Sequence, residues 1–238
     1  MASPVLPLSL LLLFAILSNT FADPVPLQDT CVADLSSGVT INGFVCKPSN
    51  KVTADDFFFD GLKNPGRITS PLGTAVTPAF VLSIPGLNTL GASQARVDFA
   101  PGGSNPPHIH PRATEMIYIL EGELEVGFIT TANVLITRTI TLGETFVFPK
   151  GLVHFQINNG VKNAAMLVSF NSQLPGIQSI AFTLFTASPP VQTMCWLRRF
   201  KLGLRRLIIL SRDLLRPPIM SFRDLLRSPD NVNWVTYF

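Results

Sequence analysis

Between Ala79 and Gln173 the chain keeps repeating one pattern, a short run of alternating apolar and polar residues stopped by Gly, Pro or Asn. The runs are AFVLSIPG (79–86), ASQARVDFAPGG (92–103), EMIYILEGELEVGFIT (115–130), VLITRTITLGETFVFP (134–149), LVHFQINNG (152–160) and AAMLVSFNSQ (164–173). A period of two sends successive side chains to opposite faces of an extended strand, so each run has one face to bury. Many such strands can bury those faces only against one another, and the expectation is an all-β sandwich or barrel. ILEGELEV predicts a hairpin turning near Glu121–Gly122, and no helical stripe is legible between residues 70 and 185. Residues 23–75 read as an irregular extension, with TADDFFFDGL (53–62) a short capped turn packed onto the barrel. At 47% hydrophobic and 14% charged, the chain has the material for a sizeable core.

Both ends depart from this pattern. Residues 1–22 read as a secretory signal: PLSLLLLFAIL is an apolar core too short to span a bilayer, and TFA before Asp23 offers small residues for cleavage. Export to an oxidising compartment predicts that Cys31 and Cys46 pair, leaving Cys195 over. A loop of that length is worth roughly 3 kcal/mol in the chain-entropy account.

Residues 193–238 hold nine of the 18 Arg and Lys but three of the 15 Asp and Glu, so the body before them is mildly acidic. That body has no nucleic-acid footprint. In the tail, Leu197, Phe200, Leu204, Leu207, Ile208 and Leu215 share one helical face, opposite Arg198, Lys201, Arg205, Arg206 and Arg212. Such a helix suits a membrane surface or an acidic wall polymer, and it is no transmembrane segment.

The chemistry centres on PPHIHPRATE (106–115). The chain has three histidines, and two of them, His108 and His110, stand here at a spacing that puts both on one face of a strand. Pro111 breaks the ladder, so Glu115 can return on the next strand, leading the inward parity of Ile117 and Ile119. A carboxylate on an apolar face needs a partner. His154 opens another run just after a turn at Pro149 and Gly151. Three imidazoles and one carboxylate make an open metal site, and their chemistry suits Fe, Mn, Ni, Cu or Zn.

These residues carry a family resemblance. Gly102, His108, His110, Glu115 and Gly122 match the spacing of one germin box, and Gly143, Pro149, Gly151, His154 and Asn158 match the other. RVDFAPGG, SFNSQLPG, the early cysteine pair and the signal are also similar to germin stretches, so residues 1–190 resemble a plant germin-like protein of the cupin superfamily. The resemblance implies a cupin jelly-roll β-barrel over residues 23–192, secreted to the apoplast or cell wall, with a role in plant defence. It implies one manganese per subunit on His108, His110, Glu115 and His154, and a homo-oligomer, typically a hexamer built as a trimer of dimers.

Two activities go with the family. Oxalate oxidase needs amide donors beside the metal; Asn105 matches one of them, but Ala95 stands where true germins carry the other asparagine. A missing buried donor costs on the order of 1–3 kcal/mol, so this activity is expected to be absent or very weak. Superoxide dismutation asks only for a redox-active metal with an open position. The alternative is a non-enzymatic metal- or ligand-binding wall protein. Past Gln192 the resemblance ends: the helices that clasp a neighbouring germin subunit are missing, and the Leu/Arg-rich segment in their place is what a shifted frame or mis-drawn exon produces. Repulsion between copies of that segment predicts a weakened or misassembled oligomer.

Overall fold

The computed structural model describes residues 28–39, 43–189 and 191–192. The signal segment, Cys195 and the basic tail lie outside them. Ten strands follow in order: β1 (Thr74–Ala79), β2 (Ser93–Phe99), β3 (Ser104–Ile109), β4 (Glu115–Glu121), β5 (Glu123–Ile129), β6 (Leu135–Thr141), β7 (Thr145–Phe148), β8 (Val153–Ile157), β9 (Ala164–Phe170) and β10 (Gln178–Ser179). They form two five-stranded antiparallel sheets, ordered β1-β2-β9-β4-β7 and β10-β3-β8-β5-β6. This is the all-β jelly roll that the alternation implies. Between the sheets Phe99, Ile117, Ile119, Leu124, Val126, Ile140, Phe148 and Met166 are fully covered.

The chain crosses between sheets rather than folding back at Glu121–Gly122, which corrects the expected hairpin. Strand β4 pairs with β7 and β9, whereas β5 pairs with β6 and β8, so neither has a free edge for the other. Gly122 makes the crossing at φ +70°, where a Cβ would lie 2.7 Å from the Asn163 carbonyl oxygen. Only glycine fits. Gly122→Ala is expected to cost about 1–3 kcal/mol, read as a lower urea midpoint, and an unchanged midpoint would contradict the tight crossing. The tight hairpin is instead β5–β6, closed by residues 130–134, where Thr130 N–H donates to the Val134 carbonyl at 2.9 Å.

Two other expectations change. AFVLSIPG is not a strand: after Ala79 the chain turns, with Ser83 and Ile84 N–H groups both donating to the Phe80 carbonyl, and Pro85–Leu87 form a 3-10 turn. The strand lies just before it, as β1. A seven-residue helix, α1 (Ile180–Thr186), occupies the end of the region read as free of helix.

The extension is irregular and fastened at three points. Cys31 and Cys46 are bridged, with Cα atoms 4.8 Å apart. The fully buried Asn88 donates to the Phe44 carbonyl at 2.8 Å and accepts the Phe44 N–H at 3.1 Å, tying that loop to the barrel. Asp98, on the outer face of β2, holds Arg96 at 2.9 Å and the Gly66 N–H at 2.8 Å. TADDFFFDGL contains the expected capped turn (Ala54–Phe57), in which Asp56 accepts the Thr53 N–H at 2.8 Å and pairs with Lys47.

Candidate metal centre

Pro106 and Pro107 have no N–H to give the ladder, so β3 cannot keep register with β8. The register shifts between Asn105, opposite Gln156, and His108, opposite His154. Three steps on β3 match two on β8, a bulge that turns His108 inward to face His154, their rings 4.2 Å apart. His110 follows two residues later. The Gly151 N–H donates to its backbone carbonyl at 3.3 Å, joining the Pro149–Gly151 turn before β8 to the end of β3. Glu115 opens β4 on the inward parity with Ile117 and Ile119, while Met116 and Tyr118 point outward.

The four residues singled out from the sequence converge. One ligand atom from each of His108, His110, Glu115 and His154 lies within 4.8 Å of all the others, and all four residues are buried. Each imidazole is held by its Nδ1 on a backbone carbonyl: His108 on Pro106 at 2.8 Å, His154 on Leu152 at 2.8 Å, His110 on Gly176. With Nδ1 turned to a carbonyl, every Nε2 is left facing the cluster, where its unprotonated form would bind a metal. The rings are also boxed in, Phe148 stacking on His154 at 4.6 Å and Phe170 meeting His110 edge-on at 4.8 Å.

One atom tests whether a cation fits. Nε2 of His108 is buried and has no hydrogen-bond partner among the described residues. An unpaired buried polar atom is costly, and one aimed at two imidazoles and a carboxylate has the surroundings of a metal ligand. Glu115 is used through both oxygens. Oε2 faces His110 Nε2 at 2.8 Å and His154 Nε2 at 3.2 Å, while Oε1 accepts the Gln156 amide N–H at 3.0 Å.

Burial pushes His108 down to about 3, with the neighbouring His154 acting the same way, so its ring is neutral and free to bind a cation. Burial alone would raise Glu115, but hydrogen bonds from His110 and His154 overcome it and hold the carboxyl well below its usual range. In metal-free protein both groups act in the same direction on stability. Unfolding lets His108 take up a proton below its ordinary 6.5, so its contribution is present above that pH and is lost as the pH falls toward about 3. Glu115 adds its own loss below 4.5. Urea midpoints of the stripped protein should therefore decline from pH 7 to 4; a flat profile would contradict the buried, neutral His108.

With the geometry in place, the chain's relatives are informative. The cupin family matches residues 60–206. Germin-like protein 1-1 of Oryza sativa subsp. japonica is 63% identical over 179 residues, covering 75% of this chain and 82% of that protein. The chain belongs to the germin-like proteins of the cupin family. Germin-like protein subfamily 2 member 2 of Arabidopsis thaliana is 60% identical over 181 residues, covering 76% of this chain and 83% of its own. Among solved structures, an oxalate oxidase in complex with the substrate analogue glycolate is 47% identical, with TM-score 0.77, covering 80% of this chain and 97% of that one.

In this germin-like chain the two boxes are fastened together by Asn158. Its side-chain N–H groups donate to the carbonyls of Ala100 at 3.0 Å and Lys162 at 2.8 Å, and its backbone is bonded both ways to residues 102 and 103. The loop before β3 and the turn after β8 are thereby locked at one end of the β3–β8 pair, and the His108–His154 pair lies at its other end. A cavity of about 70 Å³ opens beside His110 and Glu115, lined mainly by carbon. Asn105 and Ala95 both border it, so the germin-like positions compared for oxalate chemistry do face the cluster.

Sequence reasoning missed Gln156. It is fully buried, two residues beyond His154 on the same inward parity, and its amide positions Glu115. A polar residue on the apolar face of β8, beside a ligand, was the available signal.

Proposed function

We propose that this is a secreted, manganese-binding germin-like protein whose centre supports superoxide dismutation and not oxalate oxidation. The buried, unpartnered Nε2 of His108, facing His110, Glu115 and His154, is the observation that carries the reading. Bound there, manganese would supply one-electron cycling between two oxidation states. The chain's own part is to hold three imidazoles and one carboxylate oxygen in fixed orientation and to keep bulk water out with Phe148 and Phe170. The Asn105 amide borders the cavity and has no hydrogen bond to another described residue, so it is free to donate to an oxygen ligand.

Ala95 supports the negative half. It is 2% exposed on β2, between Pro78 and Val168, and turns a methyl group toward the cavity where a second amide would be needed to orient a dianion. Secretion is supported by the leader-like residues 1–22 and the Cys31–Cys46 bridge, which belongs to an oxidising compartment. No helix among the described residues is long and apolar enough to cross a membrane. Membership in the germin-like family supports an extracellular setting in plant defence and a homo-oligomeric state.

Manganese-loaded protein should remove superoxide catalytically and yield no peroxide from oxalate. Peroxide from oxalate at a rate matching superoxide removal would overturn this reading, and Ala95→Asn should raise whatever trace there is.

A further inference from the structure

The wall of the cavity is not explained by the four ligands. Apart from Asn105, His110 and Glu115 it is lined by carbon, with Val76, Phe80, Val97 and Met166 among the contributors, and no Lys or Arg borders it among the described residues. We propose that this cavity selects small monoanions and rejects dianions, seating one singly charged oxygen end between the metal position and Asn105, with any remaining atoms a short apolar tail against Ala95 and Val97. The inference rests on the metal reading above and specifies the ligand class of that same site.

Charge decides first. A divalent cation, one Glu115 carboxylate and three neutral imidazoles sum to a single positive charge, which one monoanion cancels. A second carboxylate would leave a net negative charge in carbon-lined space, and an uncompensated buried charge is strongly disfavoured. In many anion sites an Arg or Lys settles that surplus, and among the described residues none lines this cavity.

Hydrogen bonding points the same way. A carboxylate far from the metal needs donors, yet position 95 offers a methyl group and position 97 an isopropyl group. Asn105 is the one side-chain amide on the wall among the described residues; its partner across the strands, Gln156, does not line the cavity and turns an N–H to Glu115. Size sets the last limit. One water needs roughly 10–15 Å³ of cavity space, so about 70 Å³ admits only a handful of water-sized groups. Superoxide, acetate and propionate satisfy all three conditions; succinate, which is propionate with a second carboxylate, fails two of them.

The test uses the full chain loaded with manganese, its metal content measured before and after titration. Displacement of water from the metal, followed by solvent-proton relaxation, reports binding of acetate, propionate and succinate without relying on turnover. Acetate and propionate should bind at least tenfold more tightly than succinate, and Ala95→Asn should narrow that gap. Succinate binding as tightly as propionate would overturn the proposal, as would acids that leave the relaxation unchanged. Absence of stoichiometric manganese before any acid is added would instead sink the metal reading, and this inference with it.

Discussion

Changing His154 to alanine is expected to lower manganese affinity by more than about 100-fold while the barrel stays folded. Loss of partners that merely orient ligands already costs about 10–100-fold in metal sites, and in the proposed centre His154 would be a ligand itself. Its ring is also what His108 faces across β3 and β8, and it bridges Glu115 to the stacking face of Phe148. Removing it leaves a set of three with a hole on the β8 side. Equilibrium dialysis against labelled manganese would show the loss. Unchanged stoichiometric binding by the variant would mean that the cluster is not the centre.

Gln156→Leu is the second large effect, expected at about 10–100-fold in metal affinity. Leucine keeps the bulk but removes the N–H that holds Glu115 Oε1 at 3.0 Å. With that oxygen released, the carboxylate can rotate away from the cluster, and a buried acceptor is left unpaired. A structural role alone would lower the unfolding midpoint and leave the affinity per folded molecule alone. Isothermal titration on the folded variant separates the two outcomes, and affinity equal to that of the unmodified chain would contradict the positioning role.

The site was legible in the sequence because its chemistry follows strand parity. His108 and His110 share a face by spacing, Glu115 leads an inward row with Ile117 and Ile119, and His154 follows a turn marked by Pro149 and Gly151. What parity does not encode is which strand sits beside which. Ile117 and Ile119 on β4, and Leu124 and Val126 on β5, alternate in the same way whether the two strands pair or face each other across a core. The choice was made by Gly122, whose backbone passes against Asn163 and Ala164, and by the edges that β7 and β9 already fill.

Apolar runs were ambiguous for a related reason. In AFVLSIPG, Ala79 ends β1, but Val81 is buried outside any strand, beside the extension and the loop after β9, where Val81 N–H donates to the Gln173 carbonyl and Ala33 N–H to that of Pro85. Burial came from tertiary cover rather than from a sheet, so hydrophobicity mimicked a strand. Helix α1 has seven residues, too few for a 3.6-residue period to stand out. Gln156 escaped notice because a lone glutamine in a strand has no spacing signature; its role depends on Glu115 arriving from another sheet.

The tail raises a separate expectation. Every described strand and all four cluster residues precede Gln192, so truncation there should leave manganese binding intact and improve solubility by removing the Leu/Arg-rich segment. Light scattering with and without residues 193–238 would check it; a salt-insensitive hexamer that requires them would show a working clasp.

The central claim is that manganese sits on three imidazoles and one carboxylate, and pulsed electron paramagnetic resonance of the manganese-loaded protein tests it most directly. Nitrogen couplings from imidazole should appear for one manganese per chain, weaken when His108, His110 or His154 is replaced singly, and survive replacement of Asn105. Stoichiometric manganese without imidazole coupling, or couplings indifferent to those three histidines, would contradict the account.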